Sequence, residues 1–274
     1  MPKLIYSDKN LSQKLESAEA SANADFVETR ARLQPDSGAA WIEVGGACAM
    51  FDGIASPLTQ TFRLGMFEEA MPEHLAEIET FYKMRDAPVF HEVSPMADIS
   101  ILSLLSERGY SPIELTNVLF CEVTNDRYSA VAMNSNITTR QIHESEADRW
   151  AEIAARGWAT EHENLADFML AFGKIAARTK GGHPFLAELN GEPVAAAGFG
   201  IYEDVCVLAG AATVPEARNQ GAQNALLAAR LELARTNGCS LAMMCALPGS
   251  QSQKNAQKNG FNIAYTRTKW HLAG

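Results

Sequence analysis

With 274 residues, 47% of them hydrophobic and 20% charged, the chain has the length and apolar content for one large globular domain or two ordinary ones. A formal net charge of −10 argues against a nucleic-acid or anionic-membrane partner, either of which needs a positive field, but leaves room for an anionic ligand held by local amides and a few basic side chains. No apolar segment approaches a membrane span and "MPKLIYSDKNLSQ" has no apolar signal core, so a cytoplasmic protein without a membrane partner is expected.

The first predicted element is a helix in "KNLSQKLESAEASANADFVETRARL", rich in Ala, Glu and Arg. "AAWIEVGGACAMFDG" reads as a strand pair broken at Gly45-Gly46. It is followed by the strand "LTQTFRLGM", the helix "EEAMPEHLAEIETFYKMRD" and the strand "PVFHEV". The helix "MADISILSLLSERGY" and the strand "IELTNVLFCEV" close this half. "TNDRYSAVAMNSNITTR" has no sustained period and reads as a linker.

The second half opens with helices in "SEADRWAEIAARGWA" and "ENLADFMLAFGKIAART". Three strands follow, "HPFLAEL", "EPVAAAGFGIY" and "DVCVLAGAATV", the first two joined by the hairpin signal Asn190-Gly191. The helix "QNALLAARLELARTNG", ended by Gly238, leads to the strand "LAMMCAL", the helix "QSQKNAQKNG" and the strand "IAYTRTKWHL". Both halves end in the same order of elements. Gly109 and Gly260 are 151 positions apart, Pro95 and Pro248 153. Order and spacing agree on two copies of one domain, 1–130 and 137–274, the first more diverged.

Five scattered cysteines without a CxxC, and six histidines without zinc-type spacing, point to small buried side chains in a reducing compartment and to no metal. The stretch that asks for a function is "GAATVPEARNQGAQNALLAARLELARTNGC". There a strand feeds a helix through a polar turn with Arg218 and Gly221. The amides of a helix start and the helix dipole suit a phosphate; Gly221 removes a side chain where it would approach, and Arg218 can add charge-assisted bonds. The same residues also fit an ordinary turn eased by glycine.

These residues resemble the GCN5-related N-acetyltransferase (GNAT) superfamily over 137–274, and the doubled arrangement resembles its tandem members with a degenerate N-terminal copy. Val214-Pro215, Arg218 and Gly221 match the family's acetyl-CoA signature; Gln223 departs from its third small position, and "NGFNIAYTRTKW" resembles its closing Gly-Phe and final strand. The resemblance implies an α+β fold of two GNAT-like domains, each a mixed, mostly antiparallel sheet flanked by helices. It implies acetyl-CoA as donor, without a metal, contacted by Ala211, Ala212, Thr213, Val214, Arg218, Asn219, Gln220, Gly221, Ala222, Gln223 and Asn255. "VCVLAGAATV" and "LAMMCAL" are then expected to splay apart, with unpaired backbone groups near Ala211, Ala212 and Val214 polarising the thioester.

Two departures leave the acid and base open. No carboxylate lies inside "VCVLAGAATV", only Glu203 and Asp204 at its entrance, and Ala256 stands where many members carry a tyrosine, with Ser252 and Tyr265 as substitutes. Trp150, Trp158, Glu161, His162 and Glu163 fall where the family's first helices line the acceptor, or else simply pack and face solvent. The expected activity is N-acetylation of a small-molecule or peptide amine by direct attack in a ternary complex, and a homodimer is compatible with it. The alternatives are a non-catalytic acyl-CoA-binding or regulatory protein and an aminoacyl transfer from charged tRNA, the latter disfavoured by the acidic charge. One further expectation concerns the first half. Glu68, Glu69 and Glu73 crowd its matching helix start and should repel a pyrophosphate, leaving one working site per chain.

Overall fold

A computed structural model describes residues 5–123, 134–159 and 165–272. Residues up to Cys121 pack with those from Met243 onward as one compact unit, and Glu122–Ala242 form the other. Each unit is a mostly antiparallel sheet flanked by helices, the architecture expected from the sequence. Among the described residues no helix is long and apolar enough to cross a membrane.

The first unit opens with α1 (Lys9–Leu33), whose start is capped by the Asp8 carboxylate accepting from the Leu11 N–H. Strands β1 (Ala40–Val44) and β2 (Ala47–Phe51) form the hairpin expected at Gly45-Gly46, and β3 (Gln60–Phe62), α2 (Pro72–Lys83), β4 (Val89–Val93), α3 (Ser100–Glu107) and β5 (Tyr110–Glu122) follow. All five β2 residues are buried, because both of its faces are covered. Ala47, Ala49 and Phe51 share a core with Leu75, Ile78 and Tyr82 of α2 and Ile101 and Leu105 of α3. The alternate residues Cys48 and Met50 pack with Ala20 and Val27 of α1.

The second unit holds β6 (Ile137–Gln141), α4 (Ala147–Trp158), α5 (Leu165–Ala176), β7 (Phe185–Leu189), β8 (Glu192–Tyr202), β9 (Val205–Thr213) and α6 (Ala222–Thr236). Strands β6 to β9 pair antiparallel in sequence order. Trp150, Ala151 and Ala154 of α4 pack on Leu186 and Ala196, forming a core on one face of this sheet. The assigned linker is corrected at its end: "ITTR" belongs to β6, where Arg140 bridges Glu146 and Glu188. Of the remaining linker, 124–133 lies outside the described residues.

The last elements are β10 (Leu241–Ala246), α7 (Gln251–Lys258) and β11 (Asn262–Leu272). β11 runs antiparallel to both β4 and β5 and so lies between them. Packing thus divides the chain elsewhere than the repeat read in the sequence, 1–130 and 137–274: the strand that closes the second copy is an interior strand of the first unit. The repeat itself recurs in the backbone. The hairpin turns Gly45-Gly46 and Asn190-Gly191 have φ of 53°, 72° and 53°, 86°. The turns before α2 and α6 each place two left-handed residues two positions apart, Arg63 and Gly65 in the first, Asn219 and Gly221 in the second.

Candidate active site

β9 is buried from Val205 to Leu208, then exposed at Ala209 and Gly210 before Ala212 is buried again. The exposure coincides with a bulge: Ala196 pairs with Ala212 and Gly198 with Ala209, so Gly210 and Ala211 together oppose Ala197. Gly210 sits at a φ of 61° with nothing within 4 Å of an added Cβ, so its glycine serves the left-handed conformation that opens such a bulge.

Beyond Thr213 the chain turns through Pro215–Ala217, anchored by the buried Ala217, and enters α6 at Gly221. Gly221 has a φ of 95° and no side chain caps the helix behind it; the N–H of Ala225 is bonded to the Gly221 carbonyl. An added Cβ at Gly221 would meet only Ile137 Cδ1, at 4.0 Å. Gly221 therefore leaves room beside the first turn of α6 for a ligand to approach, and a helix start of this kind suits an anion.

The flanking side chains hold this turn in place. Arg218 donates from Nη2 to the Gly157 carbonyl at 2.9 Å and from Nε to the Thr213 carbonyl at 3.4 Å. Gln223 donates to Thr213 Oγ1 at 2.7 Å, so the residue that departs from the small third position ties the helix to the end of β9. Asn134 Nδ2 reaches the Gln220 carbonyl. Gly157 allows the approach of α4, since a Cβ there would stand 2.6 Å from Ala212 Cβ and 3.0 Å from the Thr213 amide.

Residues 211–223 are thus gathered at one end of β9, with one correction. Val214 does not contribute an unpaired amide, because its N–H donates to the Val194 carbonyl and its own carbonyl accepts from Ala217. Glu203 and Asp204 form the turn at the opposite end of the strand. At about 3.3 Å per residue, that turn is about 20 Å from the bulge. Asp204 accepts from Ser240 through both its carboxylate and its carbonyl, and Glu203 is exposed.

The other candidates lie in the first unit. Ser252 and Asn255 are exposed on α7, where Asn255 accepts from Gln251. Tyr265 is buried on β11 and donates to Glu16 Oε1 at 2.9 Å; burial, then the Glu16 charge, raise its pKa far above the usual phenol range. That places Tyr265 in a buried ion network of the first unit. Trp150 is core, donating to the Phe185 carbonyl, and Glu161, His162 and Glu163 lie outside the described residues.

The sequence reading missed Gly157, Gly210 and Arg230. A glycine inside "AARGWA" was a signal of close packing, since it weakens a helix unless something approaches it.

Residues 140–261 match the family model described as Acetyltransferase (GNAT) family. The likeness to the GNAT family lies in this stretch. It contains the bulge, the turn and α6, and the match ends at Phe261, one residue before β11. No curated protein matches the sequence. Among solved structures, the chain is similar to a GCN5-related N-acetyltransferase from Kribbella flavida, with a TM-score of 0.65 at 18% identity over 90% of this chain and 94% of that one. A tandem GNAT protein from the clavulanic acid biosynthesis pathway aligns over 98% of both chains, with a TM-score of 0.63 at 11% identity. A functionally unknown conserved protein from Staphylococcus epidermidis aligns over 86% of this chain and 94% of that one, with a TM-score of 0.61 at 10% identity. The fold is that of the GNAT acetyltransferases, with a second, N-terminal region of similar fold.

Proposed function

We propose that the protein is an acetyl-CoA-dependent N-acetyltransferase acting on a small-molecule or peptide amine. The observation that carries this reading is the uncapped start of α6 behind Gly221, inside the stretch that matches the GNAT family. The amides of that turn and the helix dipole hold the CoA pyrophosphate. Arg218 acts chiefly by bracing the turn against the Gly157 and Thr213 carbonyls, and Gln223 braces it through Thr213. Pantetheine runs along β9 toward the bulge, where exposed Ala209 and Gly210 and half-buried Ala211 face the thioester.

In the reaction the amine nitrogen attacks the thioester carbonyl carbon, forming the C–N bond. Backbone N–H groups near the bulge stabilise the oxyanion. Collapse breaks the C–S bond, and the amine proton passes to water as the CoA thiolate leaves. β9 carries no carboxylate, and Glu203 and Asp204 lie at its far end, so the amine arrives neutral and the site works by holding the two reactants together.

The test is calorimetry with acetyl-CoA on the full chain, joined to thiol release across a panel of amines. Wild type should bind and turn over, while Gly221→Glu, which fills and charges the phosphate position, should abolish binding with the fold intact. Equal affinity in wild type and Gly221→Glu would overturn the assignment.

A further inference from the structure

Arg230 is a buried cation on the apolar stripe of α6, in line with Ala222, Leu226 and Ala234 and only 4% exposed. Among the described residues no carboxylate pairs with it. Its Nε donates to the Leu226 carbonyl at 3.1 Å and its Nη1 to the Gly198 carbonyl at 3.0 Å. Burial lowers its pKa to about 10, opposed by Cys206. Burying a guanidinium against two neutral carbonyls is unfavourable compared with an apolar side chain of the same volume, so its role is sought in what it holds.

What it holds is the carbonyl next to the bulge. Gly198 follows Ala197, the β8 residue opposed by both Gly210 and Ala211, and is itself paired with Ala209. We infer that Arg230 is a positioning residue for the acyl end of the donor: from α6 it anchors β8 at Gly198 and thereby sets the bulge of β9 against which the thioester lies. The inference rests on the acyl-CoA reading above. It makes α6 responsible for both ends of the donor, the pyrophosphate through its first turn and the acyl group through a side chain about two turns later.

Arg230 should therefore govern the pantetheine half of the ligand and not the nucleotide half. Calorimetry on the full chain with two probes separates them: acetyl-CoA, and adenosine 3′-phosphate 5′-diphosphate, which carries only the nucleotide and pyrophosphate. Arg230→Met keeps the length and removes the charge and donors. It should weaken acetyl-CoA by about tenfold or more, the equivalent of one well-made bond, and the nucleotide by less than about twofold. Arg230→Lys, retaining a charged donor, should restore most of the loss. Gly210→Ala strains the bulge without touching Arg230 and should reproduce the same selective loss, which keeps the test open if the methionine variant does not fold.

Unchanged acetyl-CoA affinity in Arg230→Met, or equal weakening of both probes in the folded variants, would overturn the inference while leaving the donor site standing. A wild-type protein that binds neither probe would overturn the acyl-CoA reading and this inference with it.

Discussion

Glu16 shows how burial sets the charge state of a single side chain. It shares the interior of the first unit with Glu19, Glu92, Tyr265, Cys245, Arg267 and Lys269. Arg267 meets Glu16, Glu19 and Glu92, and Lys269 meets Glu92 and the more exposed Glu114. Three carboxylates thus face Arg267 with little water to share. Desolvation, only partly offset by Arg267, raises the Glu16 pKa to about 7. The folded value lies above the unfolded one of 4.5, so this contribution to stability is full below pH 4.5 and is lost as the pH rises through about 7, on the order of 3 kcal/mol. Glu16→Gln, which keeps an acceptor for Tyr265, should melt with the wild type at pH 5 and above it at pH 8. A variant that melts lower at both values would contradict this account. Arg218 is the counterpart at the candidate site. Its bonds to two carbonyls make Arg218→Ala a loosening of the turn as well as a loss of charge, and acetyl-CoA affinity should fall by about 1.5–3 kcal/mol in calorimetry.

At the scale of elements, the candidate site depends on how closely α4 approaches β9. Gly157 permits that approach, and a methyl group there collides with Ala212 and the Thr213 backbone. Gly157→Ala should cost about 1–3 kcal/mol of stability by overpacking and weaken acetyl-CoA, because the displaced strand end carries the turn and the Gly157 carbonyl anchors Arg218. Retention of both melting temperature and affinity would show that the helix shifts without consequence. The other end of β9 gives the opposite expectation. Replacing Glu203 and Asp204 together by amides should leave the pH–rate profile nearly unchanged, since neither stands near the bulge. A loss of about a hundredfold or more would make one of them the base.

At the scale of the whole molecule, β11 binds the C-terminal end of the chain into the first unit. It pairs with β5 from Asn262 to Leu272 and with β4 from Thr268 to Leu272. Residues 137–274 expressed alone would present β11 without either neighbour, a strand with both edges unpaired, and should be poorly soluble or inactive. Full activity from that fragment would refute the argument. The start of α2 differs from that of α6 in more than its carboxylates. Its first residue is Pro72, which has no N–H, and the Met71 N–H donates to the His74 ring, while Glu68, Glu69 and Glu73 are exposed. Acetyl-CoA should therefore titrate with one site per chain, and a stoichiometry of two would show that the first unit also binds.

Local rules reached far in this protein. The limits of α1, the hairpins at Gly45-Gly46 and Asn190-Gly191 and the αL stop at Gly238 were all legible, because each follows from residues adjacent in the chain. The position of the phosphate turn was legible for the same reason: strand, Val214-Pro215, Arg218, Gly221 and helix are contiguous. What only the tertiary structure decided are the contacts between distant residues. Arg218 reads as a source of charge-assisted bonds, and the structure adds that one of its donors is on the Gly157 carbonyl, 61 positions away. Tyr265 bonds to Glu16, 249 positions earlier, and β6, within the stretch that reads as linker, is a strand because β7 pairs with it. The placement of β11 belongs with these. Hydrophobic alternation makes a segment a strand, but its neighbours are chosen by which unpaired edges the rest of the fold leaves open, and those edges exist only once the chain has folded.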